Sequence, residues 1–182
     1  GADVLNAGEK VAMLVGAGAL HARSEVLAVA DALGSPIVKT LPGKAVVPDD
    51  HPLTTGGIGL LGPAASETVM EQCATLFMVG TNFPYTKHLP APGSIRCVQL
   101  EADPIRAGNR LPTEVPMVGE AAEGLTALLP LLTRKTERGF LSDAQGEMKK
   151  WRDRMHALAS ITEDPIQPQY LMRVVDEHAT DD

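Results

Sequence analysis

Residues 11–18 read VAMLVGAG, an unbroken apolar run that ends in two glycines around an alanine. Such a run, bounded by turn residues, is typical of a strand buried on both faces of a parallel sheet. The glycines allow a tight turn directly after it. Apolar residues at helical spacing from Val26 to Leu33 then indicate a helix that stops at Gly34. The stretch therefore predicts a strand, a glycine turn and a helix, the repeating unit of α/β proteins.

The same alternation continues along the chain. Further strand-like runs fall at 36–40, 76–79, 95–100 and 115–118, with helices at 64–73 and about 121–132 and a long loop at 41–63. Strands separated by helices or long loops imply right-handed crossovers between parallel neighbours. We predict a three-layer α/β fold with a doubly wound, mostly parallel six-stranded sheet of the Rossmann-like kind, followed by C-terminal linker helices.

Composition narrows the class of protein. The chain of 182 residues carries 16 basic and 23 acidic side chains, a formal net charge of −7, which is a poor match for nucleic acid or anionic lipid. No apolar run approaches the ~20 residues that span a bilayer. Cys73 and Cys97 lie in apolar surroundings, and we favour two reduced core thiols over a disulfide. Together with the lack of a signal peptide, this predicts a cytoplasmic protein.

The ends of the chain suggest part of a longer protein, because it begins at Gly1 without methionine and stops at Asp182 just after a helix-like stretch. We divide it into a nucleotide-binding segment at 1–132, a polar linker and amphipathic helix at 133–165, and the start of another domain at 166–182. Trp151 is expected to be a packing anchor of the amphipathic helix. The apolar side of the last helix is expected to pack on a part outside this sequence.

The first candidate loop is the turn formed by Gly16, Ala17 and Gly18. Ligands of open α/β sheets bind at the carboxyl ends of the strands, and N–H groups at a helix start can face an anion. A complete dinucleotide fingerprint needs a third glycine, however, and His21 stands there. Lys39 stands near the end of the second strand, where an NAD site needs an acidic residue. A turn needed only for folding remains the alternative.

Two more loops follow strands or precede helices. Gly59, Leu60, Leu61 and Gly62 could bring the backbone close to a flat or phosphorylated ligand, or form a flexible surface loop. Hydroxyl, amide and aromatic groups suited to a ring system with polar edges follow the 76–79 strand. These groups belong to Thr81, Asn82, Phe83, Pro84 and Tyr85. The alternative for this second loop is a turn capped by core aromatics.

Acidic residues end the 95–100 strand. Glu101 is placed to accept hydrogen bonds from a ribose diol, whereas Asp103 is expected to cap a short following helix. The five histidines have no metal-ligand spacing, so we assign them solvated or packing roles, and Lys44 is expected to be a solvated loop lysine. No nucleophile and base pair stands out, and no catalytic or metal-binding residue is predicted.

In this order the motifs resemble the middle domain of enzymes that depend on thiamine diphosphate (ThDP). The motifs are GAG at 16–18, TLPGK at 40–44, HP at 51–52, GIGLLG at 57–62, GTNFPY at 80–85 and QLEADP at 99–104. The likeness is nearest to pyruvate oxidase and pyruvate dehydrogenase (quinone), with acetolactate synthase as a relative. Residues 140–151 resemble the family's linker helix, and residues 167–171 resemble the opening of its third, diphosphate-binding domain.

This resemblance implies an FAD site in the present chain. It places residues 16–18 near a phosphate or ribose of FAD, residues 59–62 and 81–85 along the cofactor, and Glu101 at a ribose. It also implies ThDP and Mg²⁺ bound by domains outside this sequence, so that the chain alone is expected to be inactive. The full-length protein is expected to be a homotetramer, with membrane contact only through a segment not included here.

Three functions remain open under this resemblance. The first is oxidative decarboxylation of pyruvate or a related 2-oxo acid with electron transfer to FAD. The second is the middle domain of an acetolactate synthase-type carboligase or decarboxylase, in which FAD is structural. The third is a structural domain with a vestigial nucleotide site. In all three the cofactors carry the chemistry and the protein positions them.

Overall fold

A single sheet of six parallel strands runs through the computed structural model, which describes residues 1–180. The strands are β1 Val11–Val15, β2 Ile37–Lys39, β3 Thr54–Gly57, β4 Thr75–Val79, β5 Arg96–Glu101 and β6 Val115–Val118. Their spatial order is β3-β2-β1-β4-β5-β6. The chain winds outward from β1 to β3, returns to β4 beside β1, and winds outward again. The order therefore reverses between β1 and β4.

Helices cover both faces of the sheet. They are α1 Ala2–Ala7, α2 Arg23–Leu33, α3 Ala64–Gln72, α4 Ala121–Leu128, α5 Gly139–Ala159 and α6 Pro168–His178. No helix within residues 1–180 is long and apolar enough to cross a membrane. The last predicted segment, 166–182, includes two residues, Asp181 and Asp182, that lie outside the described part of the chain. How the chain divides into domains stays a prediction.

The central strands are buried on both faces, as their apolar runs predict. Met13 and Phe77 are in register on β1 and β4, and both point into the core that α1, α2 and α4 cover. The alternate residues Leu14 and Met78 point into the opposite core, against α3. Alternation of this kind is what a strand buried between two helical layers requires. The predicted three-layer, doubly wound α/β fold is confirmed.

The prediction of a long loop at 41–63 is wrong in part. The segment contains a 3₁₀ helix, Leu41–Val46, and the edge strand β3. The Thr-Thr-Gly-Gly sequence of β3 lacks an alternating apolar pattern, and Gly56 has a φ of 83° where the register with β2 shifts. Hydrogen bonds hold the strand instead: Thr54 Oγ1 donates to the Ile37 carbonyl over 2.9 Å. Tertiary pairing has overridden weak local propensity.

The C-terminal helices extend the layer that contains α3. Helix α5 packs on α3 and buries Ala144 and Met148, while Trp151 is half-buried on the same helix. Helix α6 packs on α5, where Arg173 Nε donates to the Ala159 carbonyl over 3.1 Å. The apolar side chains of α6 are largely exposed; they are Leu171, Met172 and Val175. Their packing on another part of the protein stays a prediction.

Both cysteines are free, buried thiols. Burial raises the pKa of Cys73 to about 12 and that of Cys97 to about 11. At neutral pH the reactive thiolate is then on the order of 10⁻⁴ of either thiol or less. We expect no reaction with a disulfide reagent such as DTNB in the native chain and two equivalents of thiol after unfolding in guanidinium. Rapid labelling of either cysteine in the native chain would contradict this burial.

Candidate functional site

A cavity of about 820 Å³ lies at the carboxyl edge of the sheet. Loops that follow β1, β2, β3, β4 and β5 contribute to its wall. Strands β3 and β5 are four strand spacings apart in the sheet, which corresponds to about 19 Å. The cavity is at the large end of the range for small-molecule sites, about 300–1,000 Å³. Its size and length suit an extended ligand.

Most of the predicted site residues meet in this cavity. Those that line it are Ala17, Gly18, Gly59, Leu60, Leu61, Thr81, Asn82, Phe83, Pro84, Tyr85 and Glu101. Gly16 and Gly62 do not line it. A Cβ on Gly62 would lie 2.3 Å from the Gly57 carbonyl oxygen, so this glycine is required by the turn that it closes.

The glycine turn after β1 is packed against the end of β4. Gly16 N–H donates to the Val79 carbonyl and Gly18 N–H to the Gly80 carbonyl, each over 3.0 Å. The expectation that these N–H groups face an anion is therefore wrong for Gly16 and Gly18. The long helix α2, moreover, begins only at Arg23. The close approach of two backbones explains the glycines, because a Cβ on Gly18 would lie 2.8 Å from the Gly80 Cα.

The loop after β4 forms one wall and its aromatic rim. Gln99 Nε2 donates to the Thr81 carbonyl over 3.1 Å and holds the loop on β5. The Phe83 ring is buried and meets the Tyr85 ring edge to face, with centroids 5.5 Å apart, while Tyr85 is 63% exposed. Asn82 Oδ1 is buried without a hydrogen-bond partner among residues 1–180. A buried acceptor left unpaired costs about 1–3 kcal/mol, so a ligand donor at this atom would stabilise the complex.

The β5 end of the cavity is polar. Glu101 is buried in the wall, and its Oε1 accepts a bond from Asp103 N–H over 3.4 Å. The short helix expected after Asp103 is absent from the described chain; turns follow instead. Asp103 Oδ1 accepts from Ile105 N–H over 3.0 Å and Oδ2 pairs with Arg106 Nε at 3.2 Å. Arg106 lines the cavity beside Glu101.

Several lining residues were not predicted. They are Thr40, Leu41, Pro42, Ile58, Gly80, Lys87, His88 and Arg106. All of them lie within the motifs that were singled out or within three residues of one, so proximity to those motifs was the available signal. His88 was assigned a solvated or packing role, but it lines the cavity and its Nδ1 lies 2.6 Å from Glu67 Oε1. Sequence spacing gives no sign of this pair.

Lys39 and Lys44, in contrast, do not line the cavity. The Lys39 side chain is 1% exposed, and its ammonium donates to the Val47 carbonyl over 2.6 Å and pairs with Asp49. Lys44 also pairs with Asp49 but is exposed. NAD proteins carry an acidic residue at the position of Lys39. Here the position holds a buried cation instead, and its contacts hold the segment after β2.

The two ends of the cavity differ in polarity. Ile58, Leu60 and Leu61 make the β3 end apolar, whereas Glu101 and Arg106 make the β5 end charged. Leu60 and Leu61 are 93% and 82% exposed and form an open apolar rim. Within residues 1–180 no group of three or more His, Cys, Asp or Glu side chains is placed to hold a metal ion. The geometry suits a ligand with an apolar ring system at one end and a polar moiety at the other.

Known proteins are similar to this chain over 95–100% of its length. YdaP of Bacillus subtilis, named as a thiamine pyrophosphate-containing protein, is 36% identical over 100% of this chain and 31% of its own length. Pyruvate oxidase of Lactiplantibacillus plantarum is 25% identical over 99% of the chain and 30% of its own length. The large subunit of acetolactate synthase isozyme 3 from Escherichia coli is 24% identical over 95% of the chain and 32% of its own length. The chain thus spans about a third of each relative.

A family model described as "Thiamine pyrophosphate enzyme, central domain" matches residues 2–128. The match includes all six strands, the helices α1 to α4 and every loop that lines the cavity. The chain therefore belongs to the thiamine pyrophosphate enzyme family, as a central domain of its members.

Proposed function

We propose that the cavity binds FAD, and that the full-length protein oxidatively decarboxylates pyruvate or a related 2-oxo acid. The observation that carries the proposal is the long cavity with an apolar, aromatic-rimmed end at β3 and a charged end at β5. FAD is divided in the same way, because its flavin ring is largely apolar and its adenosine diphosphate is charged. The name of one relative, pyruvate oxidase, supports the choice of substrate.

In this proposal each end of the cavity holds one half of the cofactor. Glu101 accepts hydrogen bonds from a ribose diol, and the Arg106 and Lys87 side chains offset the charge of the pyrophosphate. Leu60, Leu61 and Tyr85 cover the flavin ring. The unpaired Asn82 Oδ1 accepts an N–H or O–H of the cofactor. FAD, when bound, supplies a two-electron acceptor; ThDP and Mg²⁺ belong to domains outside this sequence.

A second function is supported by the acetolactate synthase relative. In that case the same cavity holds FAD as a structural group, and pyruvate is turned over without net flavin reduction. Anaerobic mixing of the whole protein, loaded with ThDP and Mg²⁺, with pyruvate separates the two. Bleaching of the flavin absorbance supports the oxidative function. Turnover without bleaching supports the carboligase or decarboxylase, and a protein that takes up no flavin favours a vestigial site.

Glu101→Gln is expected to weaken FAD binding about tenfold, because it exchanges a charged acceptor for a neutral one at the ribose. The measurement is a titration of the flavin-free whole protein, followed by flavin fluorescence. The exposed Glu123 on α4 gives a matched control, and Glu123→Gln is expected to bind FAD as the unmodified protein does. Equal affinities for both variants would remove Glu101 from the proposed site.

A further inference from the structure

His88 is oriented by a carboxylate that lies outside the cavity wall. It ends the 3₁₀ helix Thr86–His88, and its side chain is 16% exposed. Its Nδ1 lies 2.6 Å from Oε1 of Glu67 on α3. The carboxylate can only accept hydrogen bonds, so it favours the tautomer with the proton on Nδ1, the ring nitrogen that lies against it. In the neutral ring Glu67 therefore favours the proton on Nδ1 over the proton on Nε2.

The opposite edge of the His88 ring faces the apolar end of the cavity. A Cβ built on Gly59 would lie 3.8 Å from both Nε2 and Cδ2 of His88 and 3.9 Å from Cζ of Phe83. The histidine side chains that form hydrogen bonds within residues 1–180 are those of His51 and His178, and Nε2 of His88 has no such bond there. In the neutral ring with its proton on Nδ1, Nε2 presents a lone pair to whatever occupies this end of the cavity.

We propose that His88 is a ligand-binding residue of the cavity and that Glu67 is its positioning residue. Nε2 accepts a hydrogen bond from an N–H or O–H of the flavin-bearing half of the dinucleotide. This inference rests on the proposed function, since it takes FAD as the occupant. His88 lies at the β3 end, beside Gly59, whereas Glu101 and Arg106 lie at the β5 end. ADP would therefore bind without contacting His88.

Asparagine and glutamine substitutions separate the two ring nitrogens. In His88→Asn the shorter amide can still donate to Glu67 but leaves the cavity side empty, whereas in His88→Gln the longer amide reaches the place of Nε2. We expect His88→Asn to weaken FAD binding about tenfold and His88→Gln less than threefold. We expect Glu67→Gln to weaken FAD binding about threefold, because the ring keeps an acceptor but loses the charge. ADP affinity is expected to stay unchanged in all three.

Titrations of the flavin-free whole protein with FAD and with ADP test this, with thermal unfolding of each variant as a check on folding. Glu71→Gln on the same helix and His51→Asn outside the cavity are matched controls, and both are expected to bind as the unmodified protein does. Unchanged FAD affinity in His88→Asn and Glu67→Gln overturns the role of His88. Equal losses for FAD and ADP also overturn it, by showing a general effect on the fold. If the unmodified protein binds neither nucleotide, the proposed function fails with it.

Discussion

Gly80→Ala is expected to destabilise the chain by about 3 kcal/mol and to abolish FAD binding. Gly80 has a φ of 58°, and a Cβ there would lie 2.6 Å from the Gly18 carbonyl carbon and 2.7 Å from the Ala19 nitrogen. The left-handed conformation costs alanine about 1 kcal/mol, and the clash with backbone atoms adds the rest. At about 2–4 °C per kcal/mol, the melting temperature should fall by about 6–12 °C.

Gly93 provides the matched control for this substitution. Its φ is 79°, but a Cβ there would meet no atom within 4 Å, and the residue does not line the cavity. Gly93→Ala should therefore cost only the conformational part, about 1 kcal/mol, and leave FAD binding unchanged. If the two variants melt at the same temperature, the contact between the loops after β1 and β4 is not as tight as the structure has it.

The Gly80 contact also explains why the fold was predictable and part of the site was not. The buried strand β1 and its glycine turn follow from local chemistry, since five apolar residues and a tight turn fit few structures. What the glycines do depends on a partner 62 residues away: Gly18 donates to the Gly80 carbonyl. A sequence shows that a backbone must come close to something, but it does not show whether that is a ligand or another loop.

The same limit applies to β3 and His88. Strand β3 has two glycines and no apolar pattern, and it pairs with the edge of β2, which local pattern does not reveal. His88 acquires its contact with Glu67 only because α3 and the loop after β4 meet in space. Most of the residues predicted by resemblance line one cavity, because order along the chain preserves their places at the strand ends. Whether they bind FAD depends on the titrations.

Substitution of Lys39 should show how much its buried contacts contribute to the free energy of unfolding. Its side chain is buried, and its ammonium ties Val47 and Asp49 to the end of β2, two residues before Leu41 of the cavity wall. Lys39→Met keeps the volume of the stem but leaves the buried Val47 carbonyl without its donor. We expect a loss of about 2–3 kcal/mol in the free energy of unfolding, measured by urea denaturation at neutral pH.

The pH dependence of the stability lost in Lys39→Met shows whether the ion pair between the Lys39 ammonium and the Asp49 carboxylate is its source. Burial raises the pKa of Asp49, but hydrogen bonds from Lys39 and Lys44 and their charges outweigh it, so the pKa lies below its ordinary value of 3.8. A carboxylate with a lowered pKa stabilises the fold above its unfolded pKa and loses that contribution as pH falls through the folded pKa. The stability gap between the unmodified chain and Lys39→Met should therefore narrow below about pH 4.

Lys44→Met is the matched control, because Lys44 pairs with the same carboxylate from an exposed position. Surface pairs contribute little, so this variant should lose less than about 0.5 kcal/mol at neutral pH. Equal losses for the two variants would mean that the charge on Asp49, and not the buried position of Lys39, decides stability. If the difference in stability between the unmodified chain and Lys39→Met stays constant from neutral to acid pH, the whole effect comes from packing and from the Val47 carbonyl.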